Sequence, residues 1–296
     1  MAEKPTPEEI VEALDSSGYL MEQEVASRFE ALGYHVRTNR PYTDPDEGKS
    51  REIDVTAIKT IWRDETAKIA VFVEFVVECK NSTLPYVFIT RPKNVADARF
   101  EPREIVFPIA EYREMESMPD RKVRVHSAKA FFDLGLTDSH FHMANPNKAI
   151  QFCRIDRKGK GWTATHSGLY DSIFLPIIKA FEARRGTVPR HPDRGDWHFV
   201  WIFVPTVVIR GDLYSVDSEA KPAEPVPSKH ISFIRDFKSD KLDHRYVVEF
   251  VDDQHLEAFV QDVIEPFASK VSERIEADIP RFKKPQRQRL EKIEAA

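Results

Sequence analysis

Glycine is scarce in this chain, with only 10 among 296 residues. These glycines form no Gly-rich loop of the kind that cradles the phosphates of a nucleotide, and this disfavours a small-molecule enzyme built around such a loop. The sequence also has no helicase or methyltransferase motif. Any activity of that kind would therefore have to come from a partner protein.

Cysteine is rarer still, because the chain contains only Cys79 and Cys153. Cys79 falls inside a predicted core strand, so we expect reduced thiols in the cytoplasm rather than a disulfide framework. No cluster of cysteine and histidine has the spacing of a zinc site. No apolar run approaches the length of a membrane span and no apolar targeting segment precedes the first helix, so we expect a cytoplasmic protein without a membrane partner.

The remaining composition is that of a globular protein, with 41% hydrophobic residues, 31% charged residues and a net charge of −5. The negative balance counts against a protein that coats DNA through charge alone, but it leaves room for local basic loops. No internal repeat and no Gly/Ser-rich linker divides the chain. We therefore expect a single α/β domain over residues 1–280 and a basic tail over residues 281–296.

The first part of the chain has clear signals for helices and strands. Thr6 and Glu9, with Pro7 between them, form a capping-box pattern that predicts a short helix. An apolar stripe at helical spacing predicts a second helix over residues 20–32. Strands are then predicted over residues 34–39, 53–62, 69–80 and 86–89. The second and third of these are joined by a short turn and should pair antiparallel, and the polar segment 41–50 is predicted to be a mobile loop.

The rest of the chain mixes shorter signals. Helices are predicted over residues 127–134 and 171–185, and a long helix is predicted after Asp252 with a kink at Pro266. Residues 150–156 and 162–166 predict a hairpin with a basic tip. Further strands are predicted over residues 198–209, 213–216 and 246–251. We expect residues 195–278 to supply the remaining sheet and the long C-terminal helix, and residues 93–190 to be an elaboration inserted between core strands.

Three charged residues end the predicted central strands. Glu78 and Lys80 close the apolar strand, and Asp54 lies 24 residues before Glu78 on the preceding strand. Because the side chains of a strand alternate between its two faces, Glu78 and Lys80 point to the same side. A neighbouring strand can bring Asp54 beside them. Two carboxylates and an ammonium in one cleft suit a hard divalent cation and the cleavage of a phosphodiester bond.

The order of Asp54 and Glu78-Cys79-Lys80 resembles the PD-(D/E)xK nuclease superfamily. The helix that begins within residues 18–26, followed by the Gly-Tyr start of the next strand, is similar to the Mrr and Holliday-resolvase branch. The resemblance covers about residues 18–92, and Ile53 stands where the proline of the family name would be. It implies a restriction-endonuclease-like fold, with a mixed central sheet flanked by helices and a sizeable insertion between core strands.

The resemblance also implies a metal-dependent catalytic site. Asp54 and Glu78 would hold Mg²⁺ or Mn²⁺ through oxygen atoms, and the backbone carbonyl of Cys79 would be a further ligand. Lys80 would orient or help deprotonate the attacking water and stabilise the charge of the transition state. The Cys79 side chain points away from the cleft and is expected to pack in the core. The alternative is that these charged residues only end strands at the solvent.

A glutamate from the second helix would complete this site. Glu24 corresponds to the helix glutamate that some members of the branch bring to the metal, and Glu22 is its competitor on the opposite edge of the apolar stripe. The structural alternative for Glu24 is an ion pair with Arg28 one turn later. Glu74 shares the strand face of Glu78 and is expected to have a supporting role.

Basic residues elsewhere are candidates for binding nucleic acid. The predicted hairpin contributes Arg157, Lys158, Lys160 and Trp162, with the tryptophan as a stacking group. The alternative is a solvated hairpin tip with a core tryptophan. A second basic group consists of Arg184, Arg185, Arg190 and Arg194. The histidines have no fixed partner in sequence and are expected to be hydrogen-bonded or solvated; they include His140, His142 and His198.

These inferences lead to a metal-dependent endonuclease that cleaves DNA. The resemblance implies a role in restriction, anti-phage defence or DNA repair. The alternative is a non-catalytic subunit of a larger assembly that binds nucleic acid and retains the nuclease fold. DNA is the expected partner and RNA is left open, while a homodimer or a helicase or ATPase partner is compatible with both interpretations.

Overall fold

The computed structural model describes residues 4–117, 123–188 and 196–288. In these ranges the protein has a 12-stranded mixed sheet, a separate 3-stranded sheet, and helices on both faces of the large sheet. The predicted α/β class with a mixed central sheet and flanking helices is therefore confirmed. None of the helices in these ranges combines the length and the hydropathy that crossing a bilayer requires.

Helical segments are numbered along the chain. The α-helices are α1 (Pro7–Ser17), α2 (Tyr19–Ala31), α3 (Ala130–Asp133), α4 (Leu175–Arg185), α5 (Leu256–Ala258), α6 (Glu265–Glu276) and α7 (Ile279–Phe282). Two π-helical turns precede α4 and α6, over Tyr170–Phe174 and Phe259–Ile264. Turns of 3₁₀ helix occupy Asp97–Arg99, Thr137–Ser139 and Asp253–His255.

The strands are numbered in the same way. The first seven are β1 (His35–Thr43), β2 (Ser50–Asp64), β3 (Ile69–Asn81), β4 (Tyr86–Pro92), β5 (Ile105–Val106), β6 (Glu111–Ser117) and β7 (Val123–Lys129). The others are β8 (Asn147–Lys158), β9 (Gly161–Thr165), β10 (His198–Arg210), β11 (Leu213–Asp217), β12 (Pro225–Pro227), β13 (His230–Lys238), β14 (Asp243–Asp252) and β15 (Gln286–Gln288).

The centre of the large sheet is an antiparallel meander joined to parallel strands. β1 pairs with β2 and β2 pairs with β3, both antiparallel. On its other side β3 pairs in parallel with β10 along its whole length, from Ile69 opposite His198 to Asn81 opposite Arg210. β14 then pairs in parallel with β10. The predicted antiparallel pair and the predicted place of residues 198–209 in the sheet are confirmed, and residues 82–197 separate two neighbouring strands.

The central strands are apolar on both faces because helices cover both faces. On one side, Met21, Val25 and Phe29 of α2 are fully buried in a cluster that also includes residues of β3, β10 and α6. On the other side, α4 belongs to a second cluster, in which the ring of Phe181 packs edge-on against Phe203. Burial on both sides is typical of parallel strands and explains why the β3 sequence is a nearly continuous apolar run.

The sheet continues beyond the carboxyl ends of β3 and β10. The Ser82 N–H donates to the Arg210 carbonyl at 2.9 Å, and the chain then enters β4 and β11, which pair in parallel. Strands β8, β13 and β14 complete this region through an aromatic cluster whose ring centroids lie 4.7–6.1 Å apart. The cluster consists of Phe88, Phe152, Phe233 and Phe250. It forms the core of the part of the sheet that residues 82–197 help to build.

Several predicted boundaries were wrong. Residues 127–134 were expected to be helical, but β7 extends to Lys129 because it pairs with β6, and within this range only α3 (Ala130–Asp133) is α-helical. The long helix after Asp252 is divided by a π-helical turn that ends just before Pro266. The segment 41–50 was predicted to be a mobile loop, yet its first residues belong to β1. Asp44 in that segment is fully buried and bonds to Lys179 and Arg51.

The chain was also expected to end in a basic tail from residue 281. In the described range this region instead begins within α7, and β15 pairs in parallel with β6 of the small sheet. The Tyr112 hydroxyl donates to the Phe282 carbonyl at 2.7 Å, which fastens α7 to β6. Residues 289–296 of the predicted tail lie outside the described residues.

Gly211 should be required where β10 ends. Its φ of +149° is rare for other residues, and a Cβ at this position would lie 2.3 Å from the Ser82 carbonyl oxygen. We expect Gly211→Ala to lower the free energy of unfolding by about 1–3 kcal/mol, measured by urea denaturation. Gly161→Ala is the matched control, because its Cβ would meet only the Lys158 carbonyl, at 4.0 Å. Equal stability of the two variants would contradict this account.

Candidate catalytic site

Asp54 and Glu78 lie on neighbouring strands and face each other. The pairing of β2 with β3 includes Val55 opposite Val77, so the next residues outward, Asp54 and Glu78, share one face of the sheet. Lys80 lies two residues further along the same face, and its Nζ is 2.6 Å from Glu78 Oε1. The three side chains that the sequence singled out are thus brought together near the carboxyl end of β3.

The backbone of β3 fixes the orientation of Asp54. The Cys79 N–H donates to Asp54 Oδ2 at 2.7 Å, which anchors one carboxylate oxygen and leaves Oδ1 for another partner. The Cys79 side chain packs in the core cluster with α2 and α6, as predicted. The proposed role of the Cys79 carbonyl as a metal ligand stays a prediction.

Burial makes the two carboxylates costly to ionise. It raises the pKa of Glu78 from 4.5 to about 7, and the negative charge of Asp54 adds to the effect while Lys80 opposes it. Burial also raises the pKa of Asp54, against the opposing influence of the Cys79 N–H and Lys80. Burial disfavours the Lys80 ammonium, but Glu78 and Asp54 outweigh it and raise the Lys80 pKa. The site therefore combines two desolvated acids with a single retained cation.

Glu22, and not Glu24, is the helix carboxylate near this pair. Glu22 is half-buried and precedes Val25, Ala26 and Phe29 by three, four and seven residues, so it continues the buried stripe of α2. Burial, followed by the negative charge of Asp54, raises the pKa of Glu22 to about 6, while Lys80 opposes the shift. The competitor considered in the sequence is therefore the residue that interacts with the site.

Glu24 instead pairs with a basic residue at the end of β10. Its carboxylate pairs with Arg210 at 2.5 Å, and its side chain is 57% exposed. The alternative pairing with Arg28 is also wrong, because Arg28 binds Asp253 and Glu257. Arg210 binds Asp253 as well, at 2.9 Å. These ion pairs connect α2 to the end of β10 and to the turn before α5, and so they hold Glu22 over the strand ends.

Asn39 is a neighbour of the site that the sequence did not indicate. It lies between Thr38 and Arg40, which pair with Val55 and Ile53, so it stands opposite Asp54. Its φ of 49° is left-handed, a conformation that asparagine tolerates better than most residues. Its side chain lies close enough to the Glu22 carboxylate to oppose the rise in the pKa of that group. A signal was available, because asparagine is unusual inside a strand, but its partner on α2 could not be read from the sequence.

Several of the other predicted residues have structural partners. Glu74 is almost fully buried and binds Arg184 through two contacts of 2.6 and 2.7 Å, which agrees with its expected supporting role. The Arg184 guanidinium is therefore engaged within the protein, and Arg185 donates to the Arg103 carbonyl. Arg190 and Arg194 of the same predicted basic group lie outside the described residues.

The predicted hairpin is present as β8 and β9, with an exposed tip. Arg157, Lys158 and Lys160 are exposed, and Trp162 is 61% exposed, so the expectation of a core tryptophan is wrong. The Arg157 guanidinium lies 5.5 Å from the centre of the Trp162 ring. The Ile155 N–H donates to the Pro85 carbonyl at the start of β4. The hairpin thus leaves the sheet near the end of β3, where Lys80 lies.

A cavity of about 890 Å³ lies elsewhere, around the segment that contains β5. Its basic lining includes Arg103, Lys283 and Arg245. These cations already have partners, since Arg103 pairs with Glu182, Lys283 donates to the Ala67 carbonyl and Arg245 pairs with Asp236. Asp54, Glu78 and Lys80 do not line this cavity. The carboxylate site is therefore separate from it.

Comparison of the chain with protein-family models, curated proteins and solved structures gives no significant match. The resemblance to the nuclease superfamily accordingly rests on the residues and the geometry of this chain.

The raised pKa of Glu78 should make the metal-free protein less stable at higher pH. The folded protein keeps this proton up to about pH 7 whereas the unfolded chain loses it near pH 4.5, so the free energy of unfolding falls as pH rises through this interval. We expect Glu78→Gln to make the fall shallower in urea denaturation from pH 4.5 to 8 with a chelator present.

The matched control is Glu24→Gln, which removes an exposed carboxylate of the same type. This variant should keep the wild-type slope. A slope in Glu78→Gln as steep as that of the wild type would show that Glu78 is not the source of the pH dependence.

Proposed function

We propose that this protein is a metal-dependent endonuclease that cleaves DNA, with Asp54 and Glu78 as the metal ligands. The observation that carries the proposal is the convergence of these carboxylates with Lys80 and Glu22 at one end of the sheet. This is the residue set expected for hydrolysis of a phosphodiester. A role in restriction, anti-phage defence or repair accords with the sequence resemblance.

The donor set fits Mg²⁺ or Mn²⁺. Both ions prefer oxygen ligands, and Asp54 Oδ1 and the Glu78 carboxylate are the available oxygens beside each other. Burial raises the pKa of both groups, so a dication would relieve a cost that Lys80 offsets only in part. When bound, the ion would lower the pKa of a coordinated water and neutralise charge on the phosphate.

The residues of the chain have separate tasks in this proposal. The Cys79 N–H keeps Asp54 oriented, so that its free oxygen stays directed into the cleft. Lys80 carries no lone pair as an ammonium, and its part is to donate hydrogen bonds to phosphoryl oxygens as their negative charge grows. Glu22, with a pKa of about 6, is suited to accept a proton near neutral pH.

The order of elements supports the proposal. Helix α2 leads into the meander of β1, β2 and β3, and α4 then leads into β10 beside β3. These elements supply the mixed central sheet and the flanking helices that the resemblance implies, and residues 82–197 contain both the insertion and α4. Fold alone does not determine chemistry, so the residues of the site carry the argument.

The alternative is a non-catalytic subunit that binds nucleic acid. It would bind nucleic acid through the same hairpin, and the carboxylates would catalyse no reaction. Metal-dependent cleavage separates the two functions.

The decisive variant is Lys80→Ala. We expect the wild type to nick plasmid DNA with Mg²⁺ or Mn²⁺, and Lys80→Ala to keep its fold and its DNA binding while cleavage falls by roughly 10²-fold or more. The assay follows conversion of supercoiled plasmid and the cutting of linear DNA and RNA. Equal cleavage by both proteins, or none by the wild type with any divalent ion, favours the binding subunit.

Two glutamates of α2 supply a matched comparison in the same assay. Glu22→Gln should slow cleavage because Glu22 interacts with Asp54, whereas Glu24→Gln should cut at the wild-type rate because Glu24 pairs with Arg210. The reverse result would restore Glu24 as the residue of the site.

The hairpin tip should contact the DNA backbone. Changing Arg157, Lys158 and Lys160 to glutamate should weaken DNA binding and flatten its salt dependence, because each neutralised phosphate releases counterions. The slope of log K against log salt should change by about 0.9 for each phosphate that the variant no longer neutralises.

Lys221, Lys238 and Lys241 provide a matched control set. They are exposed and lie at or beyond the carboxyl ends of β11 and β13, two strands that run away from the end of β10 beside the site. Reversing their charges should leave the slope nearly unchanged. Equal effects from the two sets would mean that only the overall charge matters.

A further inference from the structure

A second cluster of ligand-type side chains is buried far from the surface. Glu104, His140 and His142 are at most 3% exposed, and one ligand atom from each lies within 4.8 Å of the others. His142 Nε2 lies 2.7 Å from Glu104 Oε1, and His140 Nε2 lies 3.5 Å from the same oxygen. The sequence led us to expect hydrogen-bonded or solvated histidines without a common partner, and the structure corrects that expectation.

The hydrogen bonds of this cluster are incomplete. His140 Nε2 and His142 Nδ1 are buried and have no hydrogen-bond partner among the described residues. His140 Nδ1 is 3.4 Å from the His142 backbone nitrogen, which is a long contact. Buried polar atoms are usually paired, because burial removes their hydrogen bonds to water and an unpaired atom regains none. The unpaired His140 Nε2, which lies beside Glu104 Oε1, therefore indicates that the cluster has another partner.

A second acidic side chain lies beside the cluster. Glu249 on β14 is a second buried carboxylate, close enough to Glu104 for their charges to interact, and its Oε1 also lacks a partner among the described residues. Its Oε2 accepts from the Ser232 hydroxyl at 2.9 Å. Lys93 supplies one positive charge nearby, but its ammonium is held by the backbone carbonyls of His142 and Asn145.

The backbone holds the ligands in place from separate segments. The Phe203 N–H of β10 donates to the Glu104 carbonyl at 2.8 Å, so Glu104 is fixed to the central sheet. The His140 ring stacks on Phe141 and meets Phe267 of α6 edge-on, at 4.2 and 4.7 Å between centroids. A bound ion would link the insertion to the sheet and to the helix layer.

We propose that Glu104, His140 and His142 form a structural site for a divalent transition-metal ion, with Zn²⁺ as its occupant. Imidazole nitrogen suits zinc, whereas the oxygen ligands of the catalytic site suit Mg²⁺. Ligand atoms around a tetrahedral zinc are about 3.3 Å apart, given bond lengths near 2.0 Å. The 3.5 Å separation fits this geometry, and the 2.7 Å contact needs to open by roughly half an ångström. Near-complete burial leaves no route for a substrate, so the ion stabilises the fold.

Metal content tests the site. Untagged wild-type protein, loaded with Zn²⁺ and dialysed, should retain about one zinc per chain by mass spectrometry of the elements. Glu104→Gln and His142→Asn should retain less than about a tenth of this. His198→Asn is the control, because His198 is another buried histidine, on β10, whose ring contacts the Asp196 carbonyl. Zinc retained by the first two variants, or lost equally by the control, would overturn the assignment.

Wild-type protein provides a measurement that does not depend on how the variants fold. Adding a chelator should lower Tm by on the order of 5 °C, and Zn²⁺ should restore it. Substituting Co²⁺ should give visible absorption bands of a four-coordinate ion, which Glu104→Gln lacks. The proposal would be overturned if the wild type held no metal and its Tm changed with neither chelator nor Zn²⁺. The cluster would then share a proton instead.

This proposal is independent of the nuclease proposal. The measurements are repeated in Asp54→Asn, which removes a ligand of the catalytic site and should leave the zinc in place. Loss of zinc in Asp54→Asn would assign the ion to the catalytic carboxylates and overturn the structural site. Absence of DNA cleavage would not affect the result.

Discussion

The parallel pairing of β3 with β10 is the constraint on which the rest of the molecule depends. It joins two strands that residues 82–197 separate in sequence, and it buries both of them between α2 and α6 on one face and α4 on the other. Because the two strands stay in register to Arg210, their carboxyl ends lie side by side. Arg210 can then bind Glu24 and Asp253, which places α2 above the end of β3. The side chains of the candidate catalytic site are positioned by this chain of contacts.

Both proposed metal sites arise from the same physical imbalance. Carboxylates are held where water cannot solvate them, and the nearby protein cations compensate them only partly. At Asp54 and Glu78 the candidate ligand atoms are oxygens at a strand end, and the Lys80 side chain remains 27% exposed. At Glu104 the other two candidate ligands are imidazoles rather than a carboxylate, and all three side chains are buried. The ligand atoms distinguish a site for a hard ion from a site for a softer ion, and the degree of burial distinguishes the proposed catalytic site from the proposed structural site.

Local signals were enough to predict that Asp54 and Glu78 lie side by side. Asp54 and Glu78 belong to one hairpin, formed by β2 and β3. The alternation of side chains along β3 and the short turn before it therefore determine that Asp54 lies beside Glu78. The choice between Glu22 and Glu24 needed information beyond the local sequence. Arg210 and Asp253, which determine where Glu24 binds, lie far along the chain, and the burial of Ala26 had to be recognised as well. Glu104, next to β5, is positioned for its contact with His142 by the pairing of β5 with β10, a contact between distant parts of the sequence. β13 was missed, and the last three residues of β7 were predicted to be helical, because pairing with neighbouring strands rather than local propensity decides such segments.

The separation of β3 from β10 along the chain has a consequence for synthesis on the ribosome. The meander of β1, β2 and β3 is complete by residue 81, but one edge of β3 has no partner until residues 198–210 emerge. At ordinary rates of translation that interval lasts on the order of ten seconds. During that time a long, apolar strand edge is exposed, which is the kind of surface that recruits other unfinished chains. A cell that makes this protein therefore has to shield a nascent edge, by a chaperone or by early collapse of the insertion, before the sheet can close.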